Sequence, residues 1–290
     1  GEGLVEELVE TGQVTKKAAS RHKALPVVGI IGSIDNDMFG SDITTGTDTA
    51  LHRIVDATDA ISSTAASHQR SFVVEVMGRN CGYLALMGAM ASGADWVLIP
   101  ESPPDVDDWE EKMCEKLRKG RLMGRRDSMV IVAEGARDCN GNPITSRHVK
   151  EVIEERLGED ARITVLGHVQ RGGSPSAFDR NLSTQLGVEA VETISTMAGE
   201  AEPLIVGFQG NKLTRTPLRV ALEKTKAIAD AVAARKFDEA LELRGAAFGR
   251  SFEVVRTLVR ATPHPPAPDQ RRLRIAIMHG GGPAPGMNTA

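Results

Sequence analysis

The chain has 290 residues, of which 41% are hydrophobic and 3% aromatic, a composition typical of a globular protein with an aliphatic core. Its formal net charge of -4 provides no global basic field, so we predict no nucleic-acid partner. Since no apolar run approaches the roughly 20 residues that a membrane-spanning helix requires, we predict no membrane association.

The cysteines Cys81, Cys114 and Cys139 are widely spaced and odd in number. This pattern favours free thiols over a disulfide framework, and the start of the chain does not resemble a signal peptide. We therefore predict a cytoplasmic protein. Because the cysteines show no metal-ligand spacing, we do not expect a zinc site.

Short apolar runs alternate with amphipathic segments from residue 25 onward. Residues 1–22 are charged and predicted to be helical, and the first predicted strand comes only after residue 24, as in a chain that starts within a domain. The apolar runs predict strands at 25–31, 71–76, 96–99, 129–133 and 163–166. Helices are predicted from 47, and at 84–91, 107–119, 144–157, 183–197 and 218–234. This alternation predicts an α/β fold with doubly wound, mostly parallel sheets and helices on both faces.

The composition changes at residues 261–272. Four prolines fall within residues 263–268, which predicts a semi-rigid, extended linker. A further strand is predicted at 273–277, and it leads into the loop GGGPAPGMN. We therefore predict one α/β unit over residues 1–260, a linker at 261–272 and the start of a second unit at 273–290.

Polar side chains follow the predicted strands. They are Ser33, Asp35 and Asp37, then Gly78 and Arg79, then Glu101, then Glu134, and then His168 and Arg171. Each alone is as well explained by a salt bridge or a helix cap, but in open α/β sheets these strand ends are where ligands bind. Arginines beside glycines suit a phosphate dianion, and carboxylates suit sugar hydroxyls, a metal ion or a general base. The pattern predicts a phosphorylated polyol as ligand.

Asp35 is the candidate base. An ordinary Asp with a pKa of about 4 is ionised but weak, which phosphoryl transfer tolerates because the acceptor hydroxyl needs positioning more than deprotonation. Arg79 would neutralise charge on the transferred group. His168 is either a packed core histidine or a hydrogen-bond donor to a sugar phosphate. Gly281 and Gly282 belong to a glycine loop that could hold phosphate on backbone N–H groups.

Several motifs together resemble the phosphofructokinase family. They are GSIDND at 32–37, TDTA at 47–50, SHQR at 67–70, EVMGR at 75–79 and VLGHVQRGGSPSAFDR at 165–180. The resemblance implies a phosphofructokinase-like α/β fold in two lobes and an allosteric transferase of glycolysis. This kinase would phosphorylate fructose 6-phosphate at its C1 hydroxyl, with ATP as donor and Mg²⁺ as cofactor.

The segments 42–52 and 138–144 resemble the tandem, two-half members of the family. By that resemblance residues 1–260 would be a catalytic N-terminal-type half without its first strands and nucleotide loop, so that the fold would be incomplete at the N-terminus. Residues 273–290 would then open a second half.

The resemblance also implies roles for individual residues. Asp35 would be the proton acceptor, with Arg79 as the second catalytic residue. The implied substrate-binding residues are Ser33, Ile34, Asp37, Arg70, Met77, Gly78, Glu134, Arg162, His168, Val169, Gln170 and Arg171. Among these, Arg70 and Arg162 match positions that reach a phosphate in a neighbouring half or subunit, which predicts an oligomer with shared sites. Asp37 is the candidate metal ligand in this chain, and Gly281 with Gly282 would bind nucleotide phosphate.

Departures from the family pattern leave alternatives open. A GGDGS-type nucleotide loop is absent, and Ser33 stands where many bacterial members carry Thr, which keeps the hydroxyl. Pro283 stands where catalytic halves usually carry Asp, which indicates a regulatory second half. Pyrophosphate-dependent members usually carry Lys at the position of Gly32, so Gly32 favours ATP. The alternatives are a pyrophosphate-dependent enzyme and a non-catalytic, effector-binding half, and Asp35 argues against the second.

Overall fold

The computed structural model describes residues 3–20, 26–68, 70–104, 107–197, 201–261, 267–271, 273–276, 278 and 285–286. The strands in these ranges are β1 (Val28–Ile30), β2 (Ser71–Val76), β3 (Trp96–Leu98), β4 (Ser128–Ala133), β5 (Ala161–Val165), β6 (Leu204–Gln209) and β7 (Lys212–Pro217). The helices are α1 (Leu4–Glu10), α2 (Lys16–Ala19), α3 (Thr47–His68), α4 (Tyr83–Ser92), α5 (Trp109–Leu122), α6 (Ser146–Leu157), α7 (Ala177–Thr196), α8 (Leu218–Ala233), α9 (Phe237–Leu243) and α10 (Ala246–Arg260). A 3₁₀ turn spans Gly167–Arg171.

The strands form two sheets, one with the order β1-β6-β7 and one with the order β3-β4-β2-β5. Strand pairs are parallel throughout, except that β6 and β7 are antiparallel. The predicted α/β fold with mostly parallel sheets is therefore confirmed.

Helices cover both faces of each sheet. Val74 of β2 packs in a cluster with side chains of α3, α4 and α10, whereas its neighbour Val73 packs with α5 and α6. In the smaller sheet Ile205 packs against α8 and Val206 against α7. Because successive strand residues point to opposite faces, this alternation is what a doubly wound sheet requires.

Strand β1 is shorter and more exposed than predicted. It extends over Val28–Ile30 within the predicted run 25–31, and Ile30 is 45% exposed. Among the described residues β1 pairs with β6 on one side and with no strand on the other. It is therefore an edge strand, and Ile30 borders a cavity. Residue 25 lies outside the described residues.

The hairpin of β6 and β7 was not predicted. Its turn residues Gly210 and Asn211 have φ of 54° and 61°, the left-handed conformation that two-residue hairpin turns require. A Gly-Asn pair between two strand-like runs is the sequence signal that could have revealed it.

Helix α7 begins at Ala177, six residues before its predicted start. It starts there because the Ser176 side chain accepts a hydrogen bond from the Asp179 N–H and caps the helix.

The C-terminal segment differs from its prediction. Helix α10, which was not predicted, ends at Arg260. The predicted strand at 273–277 is not formed over residues 273–276, where the side chains of Leu273 and Ile275 are largely exposed. Within the described residues no neighbouring strand supplies the hydrogen bonds that a strand needs there. Residue 277 and Gly281 with Gly282 lie outside the described residues.

In the part of the chain that the structure describes, each helix is too short or too polar to cross a membrane.

Candidate active site

The carboxyl ends of strands from both sheets border one cavity of about 620 Å³. The lining residues that the sequence analysis singled out are Ser33, Ile34, Asp35, Asp37, Arg79 and Arg171. Those that it missed include Met38, Thr45, Ile205 and Leu218. Ile205 comes from the unpredicted strand β6, so one wall of the cavity could not have been assigned from the sequence.

Asp35 is buried, with 3% of its surface exposed. Its Oδ2 lies 3.5 Å from the Nε of Arg79. Its Oδ1 is buried and accepts no hydrogen bond from the described residues. A buried carboxylate oxygen without a partner is costly to the fold, and it is the atom to which a substrate hydroxyl could donate.

Burial raises the pKa of Asp35 above its ordinary value, and the nearby Asp37 carboxylate raises it further. Arg79 and Arg171 act in the opposite direction without cancelling the rise. A higher pKa makes the ionised carboxylate a better proton acceptor. Asp35 is therefore a stronger base than the ordinary aspartate that the sequence analysis assumed.

Hydrogen bonds within the loop after β1 orient Asp35. Asn36 has a left-handed φ of 54°, and its side-chain oxygen accepts from the Thr44 N–H at 2.9 Å. The Ser33 hydroxyl donates to Asp37 Oδ1 at 2.9 Å and accepts from the Asp35 N–H at 3.3 Å. The hydroxyl at position 33 thus shapes the loop as well as lining the cavity.

Hydrogen bonds made by Thr44, just before α3, and by Asp179 of α7 also hold this part of the chain. The Thr44 hydroxyl donates to the Ser33 carbonyl at 2.5 Å. The buried Asp179 of α7 accepts from the backbone N–H groups of Gly46 and Thr49, each at 2.8 Å. Neither Thr44 nor Asp179 was predicted to have a role, although both lie in segments that resemble the phosphofructokinase family.

Glu134 supports the loop that carries Arg79. Its Oε1 accepts from the N–H groups of Gly78 at 3.1 Å and of Arg79 at 2.6 Å. Arg79 has a left-handed φ of 50°, a conformation that such external contacts must maintain. Glu134 does not line the cavity, so in this chain it fixes the Arg79 backbone. Its predicted substrate contact stays a prediction.

We expect Gly135→Ala to displace the Arg79 loop. A Cβ at position 135 would lie 1.9 Å from the Arg79 carbonyl oxygen, and backbone at that distance has to move. Since a misplacement of about 1 Å in a site can cost on the order of 10²-fold, binding of fructose 6-phosphate, the ligand that the sequence resemblance implies, should weaken markedly in a calorimetric titration. Gly249→Ala, where nothing lies within 4 Å of the new Cβ, is the matched control. Unchanged binding by the Gly135 variant would show that the loop relaxes without harm.

Gln170 ties the 3₁₀ turn to the end of β2. It is buried, accepts from the Met77 N–H at 3.3 Å and donates from Nε2 to the Gly167 carbonyl at 3.0 Å. His168 and Val169 lie exposed on the same turn and do not line the cavity. The alternative of a packed core histidine is therefore wrong, while the substrate contacts of Met77, His168, Val169 and Gln170 stay predictions.

Arg70 and Arg162 lie at the other end of their sheet. Both bind Oδ2 of Asp160, through Nε of Arg70 at 2.8 Å and Nη2 of Arg162 at 2.9 Å. They stand at the amino ends of β2 and β5, and a strand of this length spans about 16–20 Å. They do not share the cavity with Asp35, and the prediction that they serve another site remains open.

Asp37 is the candidate Mg²⁺ ligand, and a phosphoryl-transfer site needs few carboxylates to hold this ion. Within the described ranges no three His, Cys, Asp or Glu side chains are grouped as metal ligands. Mg²⁺ in phosphoryl-transfer sites is typically held by one or two carboxylates together with phosphate oxygens and waters. Asp37 lines the cavity and uses Oδ1 to accept from Ser33, so one carboxylate of this kind is present.

A protein-family model described as phosphofructokinase matches residues 7–194. The chain is 50% identical over 287 residues to the ATP-dependent 6-phosphofructokinase, muscle type, of Equus caballus, an alignment covering 99% of this chain and 36% of that protein. The corresponding protein of Homo sapiens is also 50% identical, with the same coverage. The chain thus spans about a third of the length of these relatives.

Solved structures give the same assignment. Phosphofructokinase from Saccharomyces cerevisiae superposes with a TM-score of 0.85 at 42% identity, covering 88% of this chain and 34% of that one. The Pichia pastoris enzyme, described as in the T-state, superposes with a TM-score of 0.81 at 46% identity, covering 85% and 26%. Since the family model matches well over half of the residues and the site motifs converge on one cavity, this chain belongs to the phosphofructokinase family.

Proposed function

We propose that this chain carries the sugar-phosphate site of an ATP-dependent 6-phosphofructokinase. The reaction is transfer of the γ-phosphoryl group of ATP to the C1 hydroxyl of fructose 6-phosphate, which yields fructose 1,6-bisphosphate and ADP in glycolysis. One observation carries the proposal: the buried Asp35 carboxylate faces Arg79 at 3.5 Å in a cavity that Ser33, Asp37 and Arg171 also line.

The mechanism follows from the positions of these groups. Oδ1 of Asp35, which accepts no other hydrogen bond from the described residues, accepts one from the C1 hydroxyl. As the C1 oxygen bonds to phosphorus and the bond to the ADP oxygen breaks, Asp35 takes the hydroxyl proton. Arg79 neutralises the charge on the transferred group, and Asp37 would hold Mg²⁺, which supplies further charge neutralisation when bound.

ATP is the proposed donor for two reasons. The relatives that are 50% identical are described as ATP-dependent, and Gly32 replaces the Lys that pyrophosphate-dependent members usually carry. Structures of pyrophosphate-dependent phosphofructokinases from Nitrosospira multiformis and Marinobacter aquaeolei are 21% and 19% identical, a level at which they share the fold alone.

Together with this function we propose the domain division, the cellular location, the shared sites and the allosteric regulation that were predicted from the sequence. The division at residues 261–272 is supported by the end of α10 at Arg260, and a cytoplasmic location by the reduced thiols of Cys81 and Cys114. Sites shared between halves or subunits are supported by Arg70 and Arg162, which lie outside the cavity at Asp35. The description of a relative as in the T-state supports allosteric regulation.

The test is a calorimetric titration of fructose 6-phosphate into the chain, joined to a turnover assay. The chain should bind fructose 6-phosphate saturably and in preference to fructose. The longest polypeptide that the gene encodes should form ADP in proportion to fructose 6-phosphate, and pyrophosphate should not replace ATP. Failure of that polypeptide both to bind and to phosphorylate fructose 6-phosphate would overturn the proposal, and turnover with pyrophosphate would change the donor.

A further inference from the structure

Glu101 and Arg244 form an ion pair in the protein interior. Their side chains are 0% and 6% exposed, and Nε of Arg244 donates to Oε1 of Glu101 at 2.9 Å. Burying two charges is expensive unless both are paired and hydrogen-bonded. The remaining hydrogen bonds of each side chain therefore indicate what the pair does.

Glu101 holds the start of α4. Both of its carboxylate oxygens accept from the N–H of Gly82, at 3.0 and 2.9 Å, and Gly82 is the N-cap of that helix. A carboxylate is favourable at a helix amino terminus. No larger residue fits at position 82, since a Cβ there would lie 2.4 Å from Ile99 Cβ and 2.6 Å from Glu101 Oε2. Glu101 thus fixes the chain three residues after Arg79.

Arg244 holds both loops of the candidate site. Its Nη2 donates to the Asn80 carbonyl at 3.0 Å, and its Nη1 donates to the Asp37 carbonyl at 3.4 Å. Asn80 directly follows Arg79, and Asp37 lies two residues after Asp35. One rigid guanidinium fork therefore joins the loop after β1 to the loop after β2, and these loops carry the two side chains that meet at 3.5 Å.

We propose that Arg244, held in place by Glu101, is a positioning residue that sets the separation of Asp35 and Arg79. Arg244 acts on the backbones of the two loops. It is the C-cap of α9, and α10 begins two residues later at Ala246. The side chain of Arg244 therefore connects the helical segment 237–260 to the two loops of the candidate site. The prediction on turnover rests on the proposed function, whereas the prediction on geometry does not.

The test compares Arg244→Gln, Glu101→Gln and the variant with both changes. The readouts are thermal unfolding, the kcat and KM of turnover, and the ¹⁵N–¹H NMR resonance of the Arg79 Nε group, assigned by its loss in Arg79→Lys. In the parent protein this Nε lies 3.5 Å from Asp35 Oδ2, so its chemical shift should change when the two loops separate.

We expect each variant to shift the Arg79 Nε resonance toward that of a solvated arginine and to lower kcat by about tenfold or more. The double variant leaves no unpaired buried charge, so it should regain thermal stability over the single variants while keeping the shifted Arg79 resonance. The control is Arg125→Gln, which breaks a pair with the buried Asp95 at the amino end of β3. It should lower stability and leave the Arg79 Nε resonance unchanged.

An Arg79 Nε resonance that is unchanged in the double variant would overturn the proposal and make the pair a purely structural one. If Arg244→Gln does not fold, Arg244→Lys and the double variant carry the same comparison. Absence of turnover in the parent protein would count against the proposed function, and the NMR comparison of the Arg79 resonance would still decide whether Arg244 positions the two loops.

Discussion

Asp35→Asn is expected to lower turnover by about 10²–10⁴-fold, the usual contribution of a general base. The amide keeps the shape of the side chain but cannot accept the C1 proton. Binding of fructose 6-phosphate should persist, because Ser33, Arg79 and Arg171 remain in the cavity. Steady-state kinetics and a calorimetric titration measure the two effects separately. Asp56→Asn, at an exposed position on α3, is the matched control, and unchanged turnover in Asp35→Asn would exclude Asp35 as the base.

The same variant is expected to stabilise the fold at neutral pH. Burial raises the Asp35 pKa, so the folded state favours the protonated carboxyl. The stability from that preference is fully present below the unfolded pKa of about 4 and is lost as pH rises through the folded pKa. At pH 7 the folded state therefore holds a disfavoured carboxylate, which the neutral amide removes.

Thermal unfolding at two pH values checks this stabilisation. Tm of Asp35→Asn should exceed that of the parent at pH 7, and the difference should shrink near pH 4. A Tm below that of the parent at pH 7 would show that Arg79 and Arg171 outweigh the cost of burial. Gain of stability with loss of turnover is the expected behaviour of a residue that serves the site at the expense of the fold.

Arg79→Ala is expected to lower turnover by about 10²–10³-fold, as removal of a group that stabilises transition-state charge commonly does. It should also move the acid limb of the pH–rate profile to higher pH, because Arg79 lowers the pKa of Asp35. Arg79→Lys keeps the charge but lacks the planar fork. Arg79→Lys should therefore return the acid limb of the pH–rate profile close to its position in the parent protein. It should recover only part of the lost turnover.

The comparison of these variants tests the electrostatic role of Arg79. The backbone should stay in place, since Glu134 binds the N–H of residue 79 and not its side chain. Arg118→Ala, at a half-exposed position on α5, is the control for loss of an arginine elsewhere. An acid limb that stays unchanged in Arg79→Ala would contradict the assigned contact with Asp35.

The sequence by itself determined the fold class, the family and the positions of β1 to β5 along the chain. Apolar runs and helix caps are local properties of the chain, and they identified β2, β4 and the helices between the strands. The sequence also predicted that Ser33, Asp35 and Arg79 lie at the carboxyl ends of strands, where ligands bind in open α/β sheets. Their convergence on one cavity was decided by tertiary structure, because β1 and β2 belong to different sheets. The Gly-Asn turn of β6 and β7 was visible in the sequence but was not used.

Tertiary structure alone decided the properties that depend on burial and on distant contacts. The pKa of Asp35 is raised because packing removes its carboxyl from water, and no local pattern encodes that environment. Arg244 pairs with Glu101 across 143 residues of sequence, so neither could be recognised as a partner of the other. The exposed edge of β1 and the exposure of His168 likewise depend on which elements pack beside them. Sequence motifs specify which groups are present, whereas their distances, solvent access and protonation arise from the packing of elements that are remote along the chain.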